Sequence, residues 1–180
     1  MASTRQAGVA PDRTGPFERT RRLFAGAMPD MRTIVAGSLL WAVAMGLMAV
    51  AKLLWMQWYE PPRIALIASF FAAGGLVAFL PGIYTGRLLS RGRRGAGFAA
   101  TFLALGIGTI ALTAFFIGLQ YRQYYAAWHD PFLSVHWFFQ FIFTVGAAVY
   151  QFLVLGTRVY FPIGILLLAA ASFWNVRGMR

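Results

Sequence analysis

The chain has 180 residues, of which 59% are hydrophobic and 12% are charged, and its formal net charge is +11. Soluble domains are about 45–50% apolar and about 25% charged, so this composition excludes a single water-facing domain and indicates an integral membrane protein. The basic excess is the usual topology signal of such proteins and argues against nucleic-acid binding, and the lack of Cys excludes disulfides, thiolate metal sites and Cys nucleophiles.

The first 32 residues form a polar lead that contains six Arg against three acidic residues. We predict that this segment, residues 1–32, is not removed as a signal peptide and lies in the cytoplasm. Pro16 suits the first turn of a helix, with Thr14 as its cap. Two readings stay open for it: an amphipathic helix lying on anionic headgroups, or a solvated tail.

Four apolar runs follow, and each approaches the length of about 20 residues that crosses a hydrocarbon core of about 30 Å. They cover residues 33–55, 64–86, 98–119 and 135–156. A fifth run, 159–174, reaches only about 24 Å at about 1.5 Å per residue. The sequence therefore predicts an all-α fold, a polytopic transmembrane helical bundle over 33–180 with four spans and a short fifth.

Arginines in the short loops set the predicted orientation. Loop 87–97 contains four Arg, whereas loops 56–63 and 120–134 contain only Arg63 and Arg122. Because positive residues stay inside, we expect the N-terminus and loop 87–97 to be cytoplasmic. The scarcity of Lys and the abundance of Arg, Ala and Gly favour a GC-rich genome and hence a bacterial inner membrane.

The C-terminal tail fits this orientation poorly, because a fifth span places Arg177 and Arg180 outside. Two arrangements are possible. Either the last run is re-entrant and returns the tail to the cytoplasm, or it forms a hairpin with the fourth span around Gly156 and the stronger upstream signals override the rule. We favour the hairpin, since adjacent segments joined by a tight turn usually pair.

Small residues recur at four-residue spacing in the second and third spans. Such stripes let helix backbones approach closely in a membrane. We predict that these two spans pack on each other or on a partner subunit. The packing residues are Gly74, Ala78, Gly82 and Gly86 in the second span, and Ala100, Ala104 and Gly108 in the third.

Polar and titratable side chains converge at the side opposite the Arg-rich loop. The candidate polar site there consists of Lys52, Glu60, His129, Asp130, His136 and Gln140. The two His residues do not have the spacing of helical zinc motifs, so we expect no metal or other cofactor and read them as interfacial. Asp130 is expected to cap a helix.

Two cations lie in or beside apolar runs. Lys52 is one turn from Trp55, so its ammonium is expected to reach the headgroups or Glu60. Arg158 is expected at an interface, in the turn before the last run. No carboxylate lies in the middle of a span, which argues against proton-coupled transport.

No nucleophile–base pair, nucleotide loop or metal motif accompanies these spans. We therefore expect a non-enzymatic accessory, assembly or scaffold subunit, whose partners are membrane lipids and other membrane-protein subunits or further copies of itself. A small-molecule or lipid transporter is the first alternative, and it needs a water-accessible polar path. The second is a subunit of an enzyme that acts on lipid or quinone, which needs a pocket at the His136 face.

Overall fold

The computed structural model describes residues 15–90 and 93–178, and in that part of the chain every regular element is helical. The helices α2, α3, α4 and α5 are each long and apolar enough to cross a membrane. This confirms the predicted all-α bundle of a multi-pass membrane protein. The six helices are α1 (Pro16–Ala27), α2 (Met31–Trp55), α3 (Pro61–Ser90), α4 (Arg94–Tyr125), α5 (Val135–Leu155) and α6 (Ile163–Arg177), with 3-10 turns at 126–128 and 156–160.

The helices extend beyond the apolar runs, so the loops are shorter than the sequence suggested. Helix α3 has 30 residues and α4 has 32, which is about 45 Å and 48 Å of helix. Pro61 begins α3, where its missing N–H costs nothing. Arg122, assigned to a loop from the sequence, lies in the last turn of α4.

The bundle has two distinguishable ends. We call the end at which α3 stops and α4 begins the arginine-rich end, and the end that carries residues 56–60 and 126–134 the aromatic end. Residues 1–14, the part of the lead in which Thr14 was expected to act as a cap, lie outside the described residues. Helix α1 lies near α3, where Phe24 and Met28 line a shallow cavity together with Pro81 and Tyr84.

Helix α6 covers only the arginine-rich half of the bundle. Its first turn meets α2, where a Cβ on Gly164 would lie 2.9 Å from the Met48 sulfur. Further along, Leu168 lies against Gly106 of α4. Near its end, Asn175 donates a hydrogen bond to the Thr101 hydroxyl at 2.9 Å.

The favoured hairpin is therefore wrong. A hairpin would carry the end of α6 to the aromatic end, whereas Asn175 lies beside Arg87 and Thr101 at the arginine-rich end. Helices α5 and α6 together cross the bundle once, in two pieces. The end of α6 thus lies at the arginine-rich end, as in the alternative that the sequence left open.

Helix α5 is inclined across α4 rather than parallel to it. Arg122 lies over the rings of Trp137 and Phe141, while Gly118 faces Val145 and Val149. Eight residues along α5, about 12 Å, thus match four residues along α4, about 6 Å. Because α5 is inclined, it ends before it reaches the arginine-rich end.

Candidate functional site

The break between α5 and α6, residues 156–162, lies inside the apolar part of the bundle. The Tyr160 hydroxyl donates to Thr113 Oγ1 at 2.9 Å. Thr113 lies twelve residues from Tyr125 and nineteen from Arg94, which is about 18 Å and about 28 Å along α4. The break is therefore at membrane depth, far from both ends of its neighbour.

One side of the break is fixed in the core. Val159 and Tyr160 are buried. The Phe71 ring of α3 lies 4.9 Å from the Tyr160 ring and 5.8 Å from the Phe152 ring, measured between centroids. These ring contacts hold the last turns of α5 and the break against α3.

The other side of the break faces outwards. Arg158, Phe161 and Pro162 are exposed on the outside of the bundle, and the Arg158 side chain makes no hydrogen bond or ion pair with any described residue. Arg158 therefore lies beside the apolar segments of α3 and α4 rather than at either end of the bundle. The reason is the inclination of α5, which ends before it has crossed.

Buried hydroxyls line the inner face of α4, a feature that the sequence reading missed. Thr101, Thr109 and Thr113 are at most 2% exposed, and each donates to the carbonyl four residues earlier. Each oxygen also accepts from another helix or turn: Thr109 Oγ1, for example, accepts from Trp41 Nε1 at 3.1 Å. These contacts tie α2, the break and α6 to α4. The signal was present in the sequence as Thr at helical spacing.

The small residues of α3 face α4 within the chain. A Cβ on Gly82 would lie 2.7 Å from the Leu105 Cα, and one on Gly74 would lie 2.8 Å from the Thr113 nitrogen. Gly86 meets Thr101 in the same way, and a Cβ on Gly108 would lie 3.6 Å from the Ala78 Cβ. The stripe Gly74, Ala78, Gly82 and Gly86 is therefore occupied inside the monomer.

The two Ala residues of the stripe predicted on α4 are offset from the face that packs on α3, whereas Gly108 of that stripe faces Ala78. Ala100 and Ala104 are half-buried, whereas Thr101 and Leu105, one position further on, are fully buried. Thr can occupy such a face because it is compact and satisfies its hydroxyl on its own helix. A search for Gly and Ala alone does not find it.

Part of the predicted polar site assembles at the aromatic end. The backbone N–H of Asp130 donates to Gln140 Oε1 at 2.9 Å, and His129 Nε2 lies 3.4 Å from the Thr144 hydroxyl. Asp130 was expected to cap a helix, but it does not cap α5. Ser134 does, by accepting from the Trp137 backbone N–H at 3.1 Å.

The other predicted members stand apart from this group. Glu60 pairs with Arg63 at 3.3 Å rather than with Lys52, and His136 is exposed. Among residues 15–90 and 93–178, no hydrogen bond or ion pair joins Lys52, Glu60 or His136 to the group of His129 and Gln140. No three His, Cys, Asp or Glu side chains in those ranges gather in a way that could hold a metal ion.

Two buried nitrogen atoms at the aromatic end have no partner in the described chain. They are Nε of Arg122 and Nδ1 of His129. The Arg122 guanidinium carbon lies 5.4 Å from the Trp137 ring centroid and 5.6 Å from that of Phe141. Cation–π attraction of this kind compensates in part for a missing hydrogen bond.

Comparison of the chain with protein-family models, with curated proteins and with solved structures finds no match.

Proposed function

We propose that this protein is a non-enzymatic accessory subunit of the bacterial inner membrane, with its arginine-rich end in the cytoplasm, and that it binds another membrane protein through the exposed side of the break. The observation that carries this proposal is Arg158, an exposed cation beside the apolar segments that has no partner among residues 15–90 and 93–178. The orientation rests on the clustering of Arg87, Arg93 and Arg94 at that end.

An unpaired charge at this depth is costly. Insertion scales give about 2.5–3.5 kcal/mol for an Arg near the centre of a membrane helix, and such groups face protein or a water-filled cavity. Irregular backbone in the hydrocarbon region is likewise tolerated only where protein or water covers it. Arg158 and the exposed Phe161 and Pro162 present both features on one surface.

The group that best satisfies Arg158 is a carboxylate on a transmembrane helix of the partner. A second copy of this chain offers none at this depth, because its five acidic residues all lie outside the apolar runs. The small-residue stripe of α3 does not serve the partner either, since it packs on α4. The partner we propose is thus a different protein with an Asp or Glu in the same half of the membrane.

Replacement of Arg158 tests the proposal. Tagged wild type, Arg158→Leu and Arg158→Lys are solubilised gently from native membranes and compared by blue native electrophoresis at equal membrane abundance. We expect the wild type to migrate as a hetero-complex, Arg158→Leu as the free chain, and Arg158→Lys as a mixture, because Lys keeps the charge without the planar fork of donors. Arg63→Leu is the matched control, since Arg63 is exposed at the aromatic end and, within the described part of the chain, pairs only with Glu60.

A second experiment identifies the partner group. A photo-crosslinking residue at Phe161 captures the protein that covers the break, and mass spectrometry locates the crosslinked helix. Arg158→Glu should abolish assembly, and replacement of the partner's acidic residue by Arg should restore it. An unchanged complex in Arg158→Leu, or a complex that contains this chain alone, contradicts the proposal.

A further inference from the structure

A large apolar groove lies between α2 and α6 in the arginine-rich half of the bundle. Its volume is about 630 Å³, and Phe79 of α3 contributes to its lining. Small side chains make the space, since Ala36, Gly37, Ala170 and Ala171 contribute to its walls. The groove is within the size range of ligand sites, which is about 300–1,000 Å³.

The groove is polar at one end only. Arg32 and Thr33, in the first turn of α2, and Trp174, near the end of α6, lie at the arginine-rich end. Towards the middle of the bundle the lining becomes wholly apolar, with Leu40 and Trp41. A slot of this kind matches a molecule with a long hydrocarbon part and an acidic head.

The cation at the mouth is available to a ligand. The Arg32 side chain makes no hydrogen bond or ion pair with any described residue. The neighbouring carboxylate of Asp30 accepts hydrogen bonds from the Thr33 backbone N–H at 3.1 Å and from the Thr33 hydroxyl at 2.5 Å. Arg87 also stabilises that negative charge, so Asp30 has its own partners and leaves Arg32 free.

We infer that the groove binds an acyl chain of an anionic phospholipid, whose phosphate contacts Arg32. A space this large does not stay empty when the surrounding medium is hydrocarbon, and lipid chains are the apolar molecules that reach it from the side. A cation near the membrane surface favours an acidic headgroup by about fivefold in affinity. This inference does not rest on the proposed role of Arg158.

Native mass spectrometry with defined lipids tests the inference. Delipidated protein in detergent is mixed with equal amounts of dioleoyl phosphatidylglycerol and dioleoyl phosphatidylcholine. We expect the wild type to retain the anionic lipid about fivefold more than the zwitterionic one. Arg32→Gln should remove this preference, whereas Arg94→Gln, which removes an exposed charge at the same end, should keep it.

Two groove-filling variants distinguish lipid binding in the groove from non-specific association of lipid with the protein surface. Ala36→Trp and Ala170→Trp fill the groove from opposite walls and should each reduce retention of both lipids. Ala111→Trp is the control, because Ala111 is exposed on α4 and does not line the groove. Thermal unfolding selects the variants that fold like the wild type.

Fluorescence quenching tests whether the anionic lipid binds in the groove. Trp41 is 6% exposed and lines the groove, so a protein that keeps Trp41 and carries Phe at its other Trp positions reports on this space. Brominated phosphatidylglycerol, as a minor component of phosphatidylcholine vesicles, should quench it more than brominated phosphatidylcholine at the same fraction. Equal retention of the two lipids by the wild type, wild-type retention in both filled variants, or equal quenching would overturn the inference.

Discussion

Arg87 donates from Nε to Oδ1 of Asn175 at 3.0 Å, across 88 residues of sequence. The amide of Asn175 in turn donates to Thr101 Oγ1 at 2.9 Å. Asn175 is 1% exposed, so both ends of its amide are used inside the protein. This contact fixes the end of α6 to α3 and α4 at the arginine-rich end.

The topology that follows is directly measurable, and the chain has no native Cys to interfere. We expect Gly178→Cys to react with a membrane-impermeant maleimide from the same side as Gly95→Cys. Ala127→Cys, in the exposed 3-10 turn at the aromatic end, should react from the opposite side. Labelling of Gly178→Cys together with Ala127→Cys would restore the hairpin and contradict the single crossing by α5 and α6.

Removal of the Asn175 amide should destabilise the fold. Asn175→Leu leaves the Arg87 guanidinium and the Thr101 hydroxyl without this partner, and unpaired buried groups cost about 1–3 kcal/mol. Thermal unfolding in detergent measures the loss. Ser172→Ala is the control, because the equally buried Ser172 donates only to Leu168 of its own helix; a loss of the same size there would show that the Asn175 contacts add nothing.

Close packing of α3 on α4 predicts different results at two glycines. Gly82→Ala puts a methyl group 2.7 Å from the Leu105 Cα, and overpacking of this kind costs about 1–3 kcal/mol. Gly146→Ala in α5 meets nothing within 4 Å, so its stability should be unchanged or slightly higher. Equal unfolding temperatures for the two variants would contradict the observed contact.

Replacement of the two His residues at the aromatic end should affect the local structure differently. His129 lies 3.4 Å from the Thr144 hydroxyl, beside the hydrogen bond from Asp130 to Gln140, whereas His136 is exposed. We expect His129→Ala to speed amide hydrogen exchange over residues 126–134 and His136→Ala to leave it unchanged. Faster exchange in both variants, or in neither, argues against a structured group at this end.

Acid should weaken the start of α2. Hydrogen bonds from the Thr33 side chain, and then from its backbone N–H, lower the pKa of Asp30 below its usual value of 3.8. A lowered pKa in the folded state means that the stabilisation is fully present above pH 3.8 and is lost as the pH falls through the lower, folded value. The protection of the Thr33 amide, measured relative to its intrinsic exchange rate at each pH, should therefore fall below about pH 3.8, and Asp30→Asn should show no such transition.

The sequence predicted the helical segments well because each depends on composition over about 20 neighbouring residues. The α3 stripe was recognisable for a similar local reason. The sequence did not reveal the inclination of α5. A 21-residue apolar helix is long enough to cross the membrane, and its length does not show whether it is inclined. The inclination depends on contacts such as Tyr160 with Thr113, which join residues far apart in sequence.

The sequence does contain one clue to the break between α5 and α6. Arg177 and Arg180 violate the positive-inside rule only if the last segment crosses completely. The short fifth run, together with Arg158 between two apolar runs, is the pattern that a crossing in two pieces produces. The polar site was predicted only in part, because the contact between Asp130 and Gln140 uses the Asp130 backbone N–H, which residue type does not encode.

The most direct test of the proposed subunit role is native mass spectrometry of the wild-type protein, released gently from native membranes. We predict a complex in which this chain is bound to a different membrane protein, whose helix carries an Asp or Glu opposite Arg158. The same preparation from Arg158→Leu should yield the chain without that protein. A wild-type chain that appears alone, or only with copies of itself, would contradict the account.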